Sequence, residues 1–229
     1  MLLLVTDTSG RQGSVALVRA DEPDPNVPRH VEVIEVALLA GGMFSAQLVP
    51  QIAALLVQHH FAKSDIDAFV VVSGPGSFTG LRVGLAAIKA LAEILKKPVV
   101  PASLLEVLAV AGRTQGSVAA VLDAGRGDVY FGAYEIGGQS VHVVREQLSS
   151  KSEFLSEARG VRVVTPDLTW GAVAREAGLS VVAADLPDAE MIARFGLTKL
   201  QAGETVSPEQ LEANYMRRSD AEILVKKSL

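Results

Sequence analysis

Residues 2–18 read LLLVTDTSGRQGSVALV, and residues 117–134 read SVAAVLDAGRGDVYFGAY. Each stretch is an apolar run that delivers an aspartate, Asp7 or Asp123, to a short glycine-bearing turn and then returns as a second apolar run. Val- and Leu-rich runs of this length, broken by Gly, Ser and Asp, have the pattern of paired strands. The residues of the two stretches do not align well, so what recurs is a topology.

Outward from the first hairpin, HVEVIEVAL (30–38) supplies a third strand after the Pro- and Asp-rich DEPDPNVPR. A helix follows, with Ser45 as its N-cap and Leu48, Ile52, Leu55, Leu56 and His59 recurring on one face. Pro50 inside that stretch implies a late start or a bend. Next come the strand AFVVVS (68–73), a glycine-rich loop, and a helix from Thr79 to Lys96 that stops before Pro98. From the second hairpin the order repeats: SVHVVRE as a strand, SEFLSEA as helix, VRVVT as strand, WGAVAREAG as helix, SVVAA as strand and AEMIARFGLTKLQAG as helix. LLEVLAVAG, starting near Ser103, joins the halves, and the polar stretch from Glu204 reads as a C-terminal arm.

The expectation is an α/β protein of two βββαβα lobes, residues 1–102 and a smaller lobe over 103–229. That order is the pattern of the actin-like, Hsp70 ATPase and sugar-kinase superfamily, which is ribonuclease H-like. There, each lobe's first hairpin offers its turn and aspartate to nucleotide phosphates. Asp7, Thr8 and Ser9, and Asp123 with its glycine turn, stand at the matching positions. As fold-level analogy this marks a place and not an activity; either aspartate can equally well cap its own turn.

Composition narrows the functions. The 229 residues are 49% hydrophobic and only 5% aromatic, so the cores rest on Val, Leu, Ile and Ala, as in helix-covered sheets. A formal charge of −5 argues against a chain that grips nucleic acid by itself. The absence of cysteine removes disulfides, thiolate metal sites and thiol catalysis. MLLLV lacks a charged n-region and a long h-region and is expected to be a first strand, and no apolar stretch reaches membrane-spanning length. A cytoplasmic protein with no membrane partner is expected.

The loop SGPGSFTGLRVG (73–84) is the natural place to look for a phosphate cradle. A P-loop needs lysine and a hydroxyl after its last glycine, and here Gly80 is followed by Leu81 and Arg82. Gly74, Gly76 and Gly80 also miss the dinucleotide spacing by one residue. What remains is a helix N-terminus that Ser77 or Thr79 could cap, or that could meet an anion. The helix behind it carries one narrow polar stripe, Arg82, Lys89, Glu93 and Lys96, and so needs cover on more than one side. Gly80, Gly84, Ala87 and Leu91 form a small-residue face on which another helix, from this chain or a partner, could pack closely.

LLVTDTSGRQGSVALV, SGPGSFTGLRVGLAAIKALA, VLDAGRGDVYFGAY and NYMRRSDAE together resemble, in order and spacing, the bacterial TsaB proteins, also called YeaZ. The resemblance implies a non-catalytic partner of TsaD in making threonylcarbamoyladenosine beside the tRNA anticodon. It implies a heterodimer with TsaD, a larger complex with the ATPase TsaE, and a homodimer when the chain is alone. tRNA would be met only through the complex, although Arg217 and Arg218 could touch it. ATP and metal would sit on partner subunits, with no cofactor held here.

The resemblance also places the interface on the two N-terminal-lobe helices, with Leu48, Ile52, Leu55, Gly80, Arg82, Gly84, Leu85 and Ile88 as candidate contacts. Gly84→Glu or Leu85→Asp is then expected to weaken association more than folding. Asp7, Thr8, Ser9, Gly76, Ser77 and Asp123 become remnants of a nucleotide site. TsaD-like proteins carry an H-x-x-x-H metal motif on the first helix; here GMFSAQLVPQI has no histidine, so neither metal nor catalytic residue is expected. His59 and His60 are adjacent and point about 100° apart on a helix. The competing readings are an actin-like ATPase or small-molecule kinase, motivated by Asp7 and Asp123, and a metallopeptidase, which lacks a ligand cluster.

Overall fold

A computed structural model describes residues 1–21, 30–138 and 140–217. Its contacts divide the chain into two units, Met1–Ser103 with Asp188–Asn214, and Leu104–Pro187 with the residues from Tyr215 on.

The first unit opens with β1 (Leu2–Asp7), β2 (Gly13–Ala20) and β3 (Val31–Leu39), continues through α1 (Phe44–Gln58), β4 (Ala68–Gly74) and α2 (Phe78–Leu95), and adds β5 (Val99–Ser103). The sheet order is β3-β2-β1-β4-β5, with β1–β2–β3 antiparallel and β1–β4–β5 parallel. Leu3, Leu4 and Val5 of β1 and Phe69, Val70, Val71 and Val72 of β4 are buried in succession, because both faces of the central strands are covered. In the second unit α3 (Leu104–Ala111) precedes β6 (Gly116–Gly125), β7 (Asp128–Gly137) and β8 (Ser140–Ser150). Then come α4 (Lys151–Glu157), β9 (Arg162–Thr165), α5 (Leu168–Glu176) and β10 (Ser180–Ala183). Its sheet order, β10-β9-β6-β7-β8, repeats the first. Phe131, Phe154 and Trp170 follow one another through its core, one pair tilted and the next edge-to-face, with centroids 6.3 and 6.1 Å apart in succession.

The two lobes expected from the hairpins are present, each an α/β unit around a five-stranded sheet. The boundary at 102/103 needs correcting for the later chain. The last helix, α6 (Ala189–Gln201), belongs to the first unit, where it packs on β1–β5 through Ile192, Ala193, Phe195, Gly196 and Leu197. A Cβ built on Gly196 would lie 2.4 Å from a Val70 methyl, so the helix rests directly on the sheet. Conversely α3 packs on β6–β9. Each unit is thus completed by the helix that leads out of the other's last strand, an exchange that periodicity along one chain does not reveal.

β5 lies between α2 and α3, where the sequence pattern shows no strand. Pro101 interrupts VVPAS, and proline is tolerated because β5 ends the sheet order. α1 starts one residue before the expected cap Ser45, with Met43 at the N-cap and no side-chain cap. Pro50 lies within it.

Candidate functional site

The glycine loop is closed by the chain's own backbone. Ser77 N–H donates to the Ser9 carbonyl at 2.7 Å, and Ser77 Oγ accepts from Gly80 N–H at 3.3 Å as the N-cap of α2. A Cβ on Gly76 would fall 2.5 Å from the Ser9 carbonyl oxygen, and one on Gly74 (φ +142°) would fall 2.6 Å from that of Asn214. Asn214 N–H in turn donates to Ser73 O at 2.8 Å. Two amides that an anion at this helix start would use are already engaged, and the space above the glycines holds Ser9 and Asn214. Gly74 and Gly76 are therefore glycines because the chain's own backbone packs against them.

Asp7, Thr8 and Ser9 form a turn that is bonded both within itself and to the start of α2. Asp7 Oδ1 accepts from Ser9 N–H at 2.8 Å and from Ser9 Oγ–H at 2.6 Å. Burial raises the Asp7 carboxyl above the ordinary range, against the lowering effect of those two bonds. Thr8 Oγ–H donates to Gly80 O at 2.8 Å. Gly80 and Gly84 are small for this reason: a Cβ at either would lie 2.0 Å from Thr8 O or 2.3 Å from Thr8 Oγ1. The small-residue end of α2 therefore faces the β1 turn of its own unit and not a partner helix. Phe44, first residue of α1, is wedged here too, its ring 2.9 Å from a Cβ on Gly13 and 3.2 Å from one on Gly80.

In the second unit Asp123 accepts from Trp170 Nε1–H at 2.9 Å, which ties the β6–β7 turn to α5. Arg217, considered above for tRNA, donates to Gly125 O at 3.2 Å and pairs with Asp128 at 3.1 Å. A guanidinium so committed braces that turn. Arg218 lies outside the described residues. His59 Nε2 and Gln58 Nε2 both lie 2.6 Å from Glu35 Oε2. Among the described residues no three His, Cys, Asp or Glu side chains gather as a metal site.

The interface candidates need a correction as well. Leu48, Ile52, Leu55, Gly80, Gly84, Leu85 and Ile88 are buried inside the first unit, and Arg82 alone is exposed, its guanidinium 3.9 Å from the centroid of the Phe78 ring. They are apolar at helical spacing because they hold α1 and α2 to the sheet and to each other. The outward row on α1 is Val49, Ala53 and Val57; on α2 it is Ala86, Ala90 and Ile94, continuing from Arg82. Val57 is 75% exposed, Ile94 70% and Val49 52%. Sequence reasoning missed these positions because an all-apolar helix does not declare which of its faces the sheet takes.

The sequence model described as TsaD: tRNA N6-adenosine threonylcarbamoyltransferase matches residues 39–165, more than half of the chain. The tRNA threonylcarbamoyladenosine biosynthesis protein TsaB of Escherichia coli is 29% identical over 233 residues, 96% of each chain. The chain belongs to the TsaB/YeaZ family. The TsaB of Bacillus subtilis is 35% identical over 136 residues, which span 59% of this chain and 56% of that one. The solved structure of YeaZ from Pseudomonas aeruginosa superposes with a TM-score of 0.65 at 27% identity, covering 93% of this chain and 100% of that one.

Proposed function

We propose that this TsaB-family chain is a non-catalytic partner of a TsaD-type transferase in tRNA threonylcarbamoyladenosine biosynthesis, docking through the outward face of α1 and α2. The observation that carries the docking surface is the pair of apolar rows, Val49–Ala53–Val57 and Ala86–Ala90–Ile94, on two helices packed against each other. Contiguous exposed aliphatic side chains on adjacent helices are the usual core of an association surface, and alanine in both rows permits close helix approach. Names of relatives supply the pathway.

The closed glycine loop supports a supporting role over a chemical one. Ser9 and Asn214 pack directly against Gly76 and Gly74, and Asp7 Oδ1 is engaged by Ser9. Nucleotide, metal and tRNA are accordingly assigned to the partners, TsaD and the ATPase TsaE, with a homodimer as the partner-free form and the cytoplasm as the setting. Among the described residues no helix is long and apolar enough to cross a membrane.

Reconstitution tests this reading. tRNA modification by the organism's own TsaD, TsaE and adenylate-forming synthase is expected to require this chain, and Asp7→Asn is expected to leave the rate unchanged. Full modification without the chain, or ATP turnover by the purified chain that Asp7→Asn abolishes, would overturn it in favour of dispensability or of an actin-like ATPase.

A further inference from the structure

We propose that Thr8 is a positioning residue for the docking helices, pinning α2 along its axis and so setting the register of the outward row that a partner reads. This rests on the docking role proposed above.

The contacts that hold α2 differ in kind. Leu81, Leu85, Ile88 and Ala92 are buried by ordinary apolar packing, which resists separation but distinguishes poorly between small displacements along the helix. Thr8 supplies a directional contact. Its hydroxyl, buried at 1% exposure, donates to the Gly80 carbonyl at 2.8 Å, and its backbone and side chain fill the notch made by Gly80 and Gly84. Two glycines one helical turn apart straddle one threonine, so a shift of a fraction of a turn drives Thr8 into a neighbouring side chain. Ser77 N–H on Ser9 O, one residue further along the same turn, fixes the start of the helix in the same frame.

The consequence reaches the outer face because a helix moves as a body. Arg82, Ala86, Ala90 and Ile94 share the turns that Gly80, Gly84 and Ile88 anchor. Phe44, lodged against Gly13 and Gly80, places the start of α1 against the same seat. Both rows are thereby referred to the turn that follows β1.

The test compares Thr8→Val, which keeps the shape and removes the hydroxyl, with Thr8→Ser, which keeps the hydroxyl. Val121→Ala in the second unit serves as a stability control. For the full-length chain, Thr8→Val is expected to weaken TsaD binding by more than about twofold and at most roughly fivefold, the upper bound being the worth of one internal hydrogen bond that holds the binding register. Thr8→Ser and Val121→Ala should stay within about twofold of wild type. Hydrogen exchange on the partner-free chain supplies an arm independent of TsaD, and Thr8→Val should speed exchange selectively over residues 80–90. Loss of affinity that merely tracks melting temperature in both Thr8→Val and Val121→Ala, or unchanged exchange in α2, would overturn the proposal. Wild-type chain that fails to bind TsaD while Thr8→Val still loosens α2 would refute the docking partner and leave the pin intact.

Discussion

Asp7 is the residue at which pH should be felt. Its folded carboxyl titrates above the ordinary value because burial outweighs the two bonds from Ser9. A raised folded value makes the contribution of Asp7 to stability fully present below the unfolded carboxylate range and lost as pH rises through the folded value. Asp7→Asn removes that dependence, so the variant's melting temperature relative to wild type should improve between pH 4 and pH 7. An equal difference at both pH values would contradict this. Gly84 carries a second residue-scale prediction. Its Cβ would lie 2.3 Å from Thr8 Oγ1, so Gly84→Ala should cost about 1–3 kcal/mol of unfolding free energy through overpacking. Denaturant melts showing no change would mean that the notch relaxes freely. This replaces the expectation that Gly84 substitutions act chiefly on association.

At the scale of elements, α2 shows what a sequence can and cannot disclose. Its existence and its need for extensive cover follow from SGPGSFTGLRVG and the apolar run behind it, while the choice of Ser77 over Thr79 as its cap comes from the structure. Which residues point outward does not, because Leu85 and Ala86 are equally apolar to a pattern and only the β1 turn decides between them. Likewise β5 is hidden by Pro101, and the destination of α6 is hidden because its partners lie far earlier in the chain. The candidate site was legible as two helices and a loop, while its contact residues came from burial alone. With those residues in hand, the double variant Val57→Asp, Ile94→Asp should lose no more than about 2 kcal/mol of stability, the cost of two carboxylates in the last turns of α1 and α2, since both positions are exposed. It should lose binding to TsaD, because two uncompensated carboxylates would be buried at the contact. A large loss of stability would mean that the face is already covered within the chain.

At the scale of the molecule, two units repeat one topology and differ in how their turns are braced. The Asp7 turn is locked to α2 through Thr8 and Ser9, whereas the Asp123 turn is locked to α5 through Trp170 and to the C-terminal segment through Arg217. In each turn the aspartate accepts an internal hydrogen bond, from Ser9 in the first unit and from Trp170 in the second. The proposed docking role rests on the outward rows of α1 and α2 and is tested on the whole molecule. The most direct measurement is size-exclusion chromatography of the full-length chain mixed with folded TsaD from the same organism. The account predicts that the two co-elute as a stoichiometric complex which the Val57→Asp, Ile94→Asp variant fails to form. Separate elution of the wild-type chain from TsaD that is folded would contradict it.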